Sequence, residues 1–240
     1  MVATGILFVT TAALAFQHAA VPLVVTSDAV APIVLSGTVS VGDTVLARMQ
    51  YSYEARLSAR NASNKSILLY IMQLDVTMEG TGDRKLTRTE DYFFRPDLFQ
   101  PDTIQTWIDR LPPFPDAPTA AVADHPTPIA KATLMFVQFA DGSTWGNART
   151  AENSFEQRHS AMQRLSFLAE TYRERGEEQF IKELMMPSQV PLVLGLQRLY
   201  KTSNNDASDV ITRLYTLLNN AEVHQREMQR AGPDSSAANP

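Results

Sequence analysis

The chain has 240 residues, a formal net charge of −5 at pH 7 and no cysteine. The acidic balance argues against a general nucleic-acid binder, which needs a basic patch to displace counterions from phosphate. The lack of cysteine excludes disulfides, thiolate metal sites and a cysteine nucleophile. A chain of this length forms one large domain or two small ones, and burial of apolar side chains must hold it together.

The N-terminal segment has the features of an export signal. Residues 1–25 carry no charged side chain, and the run from Gly5 to Phe16 has the length of a signal-peptide apolar core. A basic segment before the run and a clean cleavage pattern are missing. We therefore predict residues 1–20 to be a signal peptide, with an uncleaved anchor or a buried element as alternatives. The protein is expected to be bacterial and exported, in the periplasm or outside the cell, with no other membrane span.

Strand patterns dominate residues 33–147. Apolar and polar residues alternate strictly from Tyr51 to Arg60, which indicates a strand with one wet face. Asp141-Gly142 is a strong hairpin signal. The proline-rich stretch 112–128 is predicted to be a stiff, exposed loop. The expected strands are 34–41 and 44–49, joined by Gly42-Asp43, then 51–60, 66–78, 85–94, a short edge strand at 103–108, 130–140 and a brief return arm at 143–145.

Helical spacing replaces these patterns after residue 150. Ser154 with Gln157 predicts a capping box at the start of the first helix. Gly176 interrupts the apolar periodicity, and prolines break it again further on. Strands followed by helices indicate an α+β protein. The expected parts are an antiparallel β-sandwich over 33–147, a helical region over 152–230 with helices at 155–172, 177–186, 192–200 and from 206 onward, and a disordered tail at 231–240.

Two segments carry a resemblance to a known kind of domain. From Leu57 to Ile67, a strand ends at Asn61, a Ser/Asn/Lys turn follows, and the isoleucine starts the next strand. This order resembles bacterial exported immunoglobulin-like domains, the FxLYD-type domains among them. The run from Phe136 to Gly146 is similar to the closing hairpin of uncharacterised exported proteins of this kind. The resemblance implies an immunoglobulin-like β-sandwich behind a signal peptide, and it implies no catalytic or ligand residue.

The sequence offers few groups arranged for catalysis. Beyond residue 20 the histidines are His125, His159 and His224, which lack the spacing of a metal site and are expected to be solvated. No nucleophile elbow, dinucleotide fingerprint or phosphate-binding loop is present. We therefore predict no catalytic residue, no cofactor and no metal.

Acidic pairs have structural interpretations. Glu90 and Asp91 are neighbours in a predicted strand and point to opposite faces, so they cannot converge as a glycosidase pair. Glu177-Glu178 opens a helix, where negative charge favours the positive end of the dipole. The mixed charges of residues 83–91 are expected to form a solvated, self-paired edge that discourages aggregation, or otherwise a polar docking surface.

Large aromatic residues are the candidate binding surface. Trp107, Phe114, Tyr92 and Trp145 lie near prolines or turns and are suited to a peptide or glycan groove, with core packing as the alternative. The apolar face from Val210 to Ala221 is a candidate surface for a partner helix.

Together these features favour a non-catalytic exported interaction or structural module, with an envelope protein or a glycan as its partner and no nucleic acid. The alternatives are a glycan-active hydrolase, which needs converging carboxylates, and a carbohydrate-binding module of the cell envelope, which needs exposed aromatic rings.

Overall fold

The structure, a computed structural model, describes residues 21–22, 24–26, 30–45, 51–78, 82–111 and 129–231. The predicted signal peptide and proline-rich loop, together with Phe114 and His125, lie outside the described residues, as does the predicted tail beyond Ala231. The strands are β1 Val21–Pro22, β2 Val24–Thr26, β3 Ile33–Val45, β4 Tyr51–Asn61, β5 Ile67–Met78, β6 Gly82–Asp91, β7 Ile104–Leu111, β8 Ile129–Phe139 and β9 Thr144–Gly146, and the helices are α1 Glu152–Leu184, α2 Pro191–Thr202 and α3 Ala207–Ala231.

The strands form two sheets. Sheet A has the order β1-β3-β4-β7, and sheet B has the order β2-β8-β5-β6 with β9 also beside β8. The pairings are antiparallel except that of β2 with β8, which is parallel. The chain is therefore an α+β protein in which antiparallel and mixed sheets precede a C-terminal helical region, as the order of sequence patterns predicted.

The core between the sheets follows from the period of two along the strands. Side chains on one face of β4 and on one face of β5 are buried in the same hydrophobic cluster, so the two sheets face each other. The strand predictions for 51–60 and 72–78 are confirmed. The residues that set this alternation are Tyr53, Ala55, Leu57 and Ala59 on β4 and Tyr70, Met72, Leu74 and Val76 on β5.

A bulge in β8 directs one aromatic side chain to the outer face of sheet B. The register with β5 shifts between Ile71 and Met72, which leaves Met135 as an extra residue on β8. Phe136 therefore points away from the inter-sheet core and meets Phe155 of α1 edge to face, with ring centroids 6.0 Å apart. The hairpin that follows needs Gly146, because its φ is 87° and a Cβ there would collide with the carbonyl oxygen of Met135.

The three helices pack against one another and against the sheets. Gly176 has φ 78° and ψ −175°, so it divides α1 where the sequence predicted a break. The apolar face of α3 is covered within the chain, because Val210, Leu214 and Ala221 are each 0% exposed. The prediction that this face receives a partner helix is therefore wrong: α1, α2 and sheet-associated residues bury it instead.

Two local predictions also need correction. The expected strand 34–41 and the start of the expected strand 44–49 belong to one strand, β3, whose register against β4 shifts between Val41 and Val45 where the glycine turn was predicted. Residues 46–49 lie outside the described residues. The cap of the helical region is Asn147 rather than Ser154. Its Oδ1 accepts the Arg149 N–H at 3.1 Å at the start of a 3₁₀ turn that leads into α1.

Within the described residues, the helices are too short or too polar to cross a membrane.

Candidate functional site

A partly buried ion pair joins sheet B to the helices. Arg158 of α1 donates from Nε and Nη2 to the two carboxylate oxygens of Asp91, at 2.7 and 2.9 Å. Asp91 also accepts the backbone N–H of Phe93 at 2.9 Å. The planar guanidinium fork matches a carboxylate, so this bidentate pair fixes the direction of both side chains. The Arg158 side chain is only 9% exposed, which makes the pair a structural anchor as well as a charged wall.

Arg158 is held on its remaining sides by an amide and two aromatic rings. Its Nη1 donates to Oε1 of Gln138 on β8 at 2.7 Å. The guanidinium carbon lies 4.9 Å from the ring centre of Phe93 and 5.6 Å from that of Phe155. Stacking on aromatic faces is favourable for a partly desolvated guanidinium. Three of its five N–H donors are used in these contacts, and the others are left for a further acceptor.

Helix α3 fixes the turn that follows β6. Asn220 donates to the carbonyl oxygen of Phe94 at 3.3 Å, and Nε2 of His224 lies 3.0 Å from the carbonyl oxygen of Arg95. Because a carbonyl only accepts, Nε2 carries the proton in this hydrogen bond. His224 is 5% exposed, so the prediction that it is solvated is wrong. The imidazole is buried because it satisfies a carbonyl that strand pairing leaves unpaired.

A cavity of about 240 Å³ opens beside the Arg158–Asp91 pair, where sheet B meets the three helices. We call it the junction pocket. Its apolar wall comes from one residue of the β6–β7 turn and from residues on each helix, and its charged wall carries three arginines. The apolar residues are Phe94, Ala161, Pro191, Leu192 and Leu217, and the arginines are Arg95, Arg158 and Arg213.

The positive charges of the junction pocket are unevenly matched. Asp91 is already occupied by Arg158. Arg95 lies 3.5 Å from Glu90 and covers the ring of Tyr92, with 5.1 Å between the guanidinium carbon and the ring centre. Arg213 is exposed, and no hydrogen bond or ion pair joins it to the rest of the described chain. The pocket therefore has a surplus of positive charge at Arg213.

The start of helix α2 adds to this positive potential. Val190, at the N-cap, makes no side-chain capping hydrogen bond, and the first turn contains no acidic residue. Pro191 at the first position lacks an N–H, while Leu192 and Leu194 follow it in the first turn. A helix N-terminus carries a partial positive charge that is stabilised by an anion. The helix end and Arg213 thus favour the same kind of occupant.

An apolar groove lies next to the junction pocket, between α2 and α3. Its volume is about 380 Å³, and it shares Pro191, Leu192, Arg213 and Leu217 with the junction pocket. Beyond those residues, its lining is apolar. This α2–α3 groove is completed by Gly195, Leu196 and Leu199. The two cavities are therefore neighbours that share part of one wall.

A second charged cluster lies where the open edges of the two sheets meet. Arg88 of β6 bonds Glu90 at 2.7 Å and Asp109 of β7 in the opposite sheet at 2.9 Å. Its guanidinium carbon stacks 4.5 Å from the ring centre of Trp107. We call this cluster the inter-sheet edge. The prediction of a solvated edge over 83–91 is wrong for Arg88, which is 27% exposed because it turns inward toward β7.

Tyrosine hydroxyls complete the inter-sheet edge. Tyr70 and Tyr92 both donate to Oε1 of Gln105 on β7, at 3.1 and 2.6 Å. Burial raises the pKa of both tyrosines above its usual value. They therefore remain neutral donors at physiological pH, and they stabilise the contact between the sheets.

The predicted aromatic surface is divided between two places. Tyr92 is 4% exposed, and it lies with half-buried Trp107 at the inter-sheet edge. Trp145 is half-buried on β9, which pairs with β8 on the side of sheet B away from β6. Phe114 lies outside the described residues. The structure thus brings Tyr92 and Trp107 together and separates Trp145 from them.

The acidic candidates behave as their strand and helix positions predicted. Glu90 faces Arg88 and Arg95, whereas Asp91 faces Arg158, so the two neighbours point to different partners. Glu177-Glu178 is exposed at the break in α1. The described residues contain no group of three or more His, Asp or Glu side chains placed to hold a metal ion.

Sequence reasoning missed the arginines of the junction pocket, although one signal was readable. Arg158 occupies the buried stripe of α1, between Ser154 and Ala161 at helical spacing. A charge at a core position requires a partner, so it marks a buried polar site. Arg95 and Arg213 have no comparable signal, because only the packing of the turn and α3 brings them to the pocket.

Comparison with known proteins gives little further information. No known family model matches the chain. No curated protein matches it either. The chain is similar to a solved structure of a hypothetical protein from Peptoclostridium difficile 630, with 12% identity and a TM-score of 0.29, over 52% of this chain and 90% of that one. A TM-score of this size carries no argument about fold or function.

Proposed function

We propose that this protein is a non-catalytic, exported interaction module whose junction pocket binds a partner carrying a negative charge. The observation that carries the proposal is the unmatched Arg213, which lies beside two further arginines and the uncapped start of α2. Unmatched positive charge in a concave site attracts an anion and raises its local concentration.

Arginine chemistry favours binding over catalysis at this pocket. A guanidinium stays protonated at physiological pH, so it orients an anion but does not exchange protons with a substrate. Asp91, the carboxylate that lines the pocket, is engaged by Arg158 and by the N–H of Phe93. The glycan alternative would use Tyr92 and Trp107, whose rings are covered by the guanidinium groups of Arg95 and Arg88.

The scaffold is proposed to be an immunoglobulin-like sandwich of the kind that the turn at Asn61 resembles. Asn61 is 0% exposed, and its Oδ1 accepts the N–H of Ser63 at 3.0 Å. Its Nδ2 donates to the carbonyl oxygens of Lys65 and Phe99, each at 2.9 Å. These bonds support a structural role for the turn Asn61-Ala62-Ser63-Asn64-Lys65. The uncharged N-terminal run supports export, which fractionation of cells expressing the full chain would test.

The binding proposal can be tested by NMR titration of the purified full chain with acetate and inorganic phosphate. We expect the Nε–H resonance of Arg213 and the amides at the start of α2 to shift with added anion. In Arg213→Gln the same titration should leave the α2 amides nearly unchanged. Lys201→Gln removes an exposed charge from the last turn of α2 and is the matched control, which should behave like the parent. Equal shifts in the parent and Arg213→Gln would contradict the proposal.

A further inference from the structure

We propose that the ligand of the junction pocket is an amphiphilic monocarboxylate, with its carboxylate at Arg213 and its hydrocarbon chain in the α2–α3 groove. This inference rests on the proposed function and specifies its ligand class. Three features lead to it: the charge balance of the pocket, the wall that the two cavities share, and the open space beside Gly195.

The charge balance points to a single negative charge. Arg88 and Arg95 face Glu90 and Asp109, and Arg158 faces Asp91. Arg213 is therefore the cation of the pocket without a matching carboxylate in the described chain. One added negative charge completes the set, whereas a dianion would bring a second charge with no unmatched cation opposite it. The planar carboxylate also matches the fork of a guanidinium.

The wall that the two cavities share points to an apolar chain attached to that charge. Arg213 lines both the junction pocket and the α2–α3 groove, so it lies where the polar wall ends and the apolar wall begins. From Leu192 to Leu199 the groove follows α2 for about 10 Å, at the usual rise of a helix. A carboxylate at Arg213 would therefore direct its chain along Leu196 toward Leu199. A small inorganic anion would leave this apolar wall uncovered.

Gly195 leaves open space at the wall of the groove. A Cβ placed on Gly195 would meet no heavy atom within 4 Å. Glycine in the middle of a helix is destabilising relative to alanine, so its helix propensity does not explain its presence here. A missing side chain on the groove wall leaves room for an apolar chain beside Leu196.

The test compares butanoate with octanoate on the purified full chain by isothermal titration calorimetry. Each buried methylene increases affinity about fourfold, so octanoate should bind on the order of a hundredfold more tightly than butanoate. Gly195→Leu fills the groove and should remove most of this preference while butanoate still binds. Gly195→Ala, which improves helix propensity but leaves most of the space, is the matched control and should retain the preference.

Neutral octanamide tests the carboxylate separately, because it has the chain without the charge. We expect it to bind at least tenfold more weakly than octanoate, and Arg213→Gln to reduce the affinity for octanoate to that of the amide. Equal affinity for butanoate and octanoate, with binding at Arg213 intact, would overturn the amphiphilic ligand and leave the anion site standing. Failure of every anion to bind would overturn both proposals.

Discussion

The inter-sheet edge and the junction pocket are both built around arginines, but they differ in how those charges are matched. At the inter-sheet edge, Arg88 contacts a carboxylate from each sheet, with Glu90 at 2.7 Å and Asp109 at 2.9 Å. In the junction pocket, Arg158 is paired with Asp91 and Gln138, whereas Arg213 has no partner in the described chain. One cluster holds two sheets together, and the other combines an anchor with an unmatched charge.

This difference separates charges that serve the fold from a charge available to a ligand. A buried or half-buried cation without a partner is costly, so folding alone favours matched pairs such as Arg88 and Arg158. Arg213 is exposed, so its lack of a partner costs little folding free energy. If the distinction holds, substitutions of these three arginines should change the free energy of unfolding in a definite order.

The largest effect is expected for Arg158→Met. The substitution leaves the carboxylate of Asp91 beside apolar groups with only the N–H of Phe93 as its donor. Removing one partner of a buried pair costs about 3 to 5 kcal/mol, and the lower end applies here because the Asp91 side chain is 27% exposed. Urea denaturation at pH 7 should therefore show a loss of about 3 kcal/mol in the free energy of unfolding.

A second variant distinguishes the loss of the ion pair from the loss of packing by the Arg158 side chain. Asp91→Leu combined with Arg158→Met removes both charges, so it should recover much of the lost stability. A double variant as unstable as the sum of its single variants would show that the two residues act independently. In that case the pair would not be the anchor between sheet B and α1.

An intermediate effect is expected for Arg88→Met at the inter-sheet edge. The loss should be about 2 kcal/mol, because Asp109 loses its partner while Glu90 keeps Arg95. The control is Lys85→Met on the exposed face of the same strand, which should change the unfolding free energy by less than about 0.5 kcal/mol. Similar losses for both substitutions in urea denaturation would mean that the link between the sheets contributes little.

The sequence predicted the fold better than it predicted the site around the unmatched Arg213. Alternation from Tyr53 to Ala59 predicted β4 because strand geometry alone places those residues on one face. The break at Gly176 was equally readable, since it depends on local backbone preference. The bulge at Met135 was not readable, because register depends on which strand lies beside β8.

The candidate site depended even more on long-range packing. Arg158 was detectable in principle, as a charge on the apolar stripe of α1, although its partner was not. The partners Asp91 and Gln138 lie 67 and 20 positions away in sequence, and strand pairing and the turn after β6 determine where they point. His224 was wrongly expected in solvent because no local pattern reveals a hydrogen bond to the carbonyl of Arg95.

The smallest effect on stability is expected for Arg213→Gln, and it is the sharpest test of the comparison. The substitution breaks no ion pair or hydrogen bond of the described chain, so the unfolding free energy should change by less than about 0.5 kcal/mol. Urea denaturation without ligand, at low and moderate salt, is the measurement. A loss as large as that of Arg88→Met would make Arg213 part of the fold rather than the site. A negligible loss together with abolished carboxylate binding would make Arg213 part of the site rather than the fold. The residue would then contribute most of the binding and almost nothing to the free energy of unfolding.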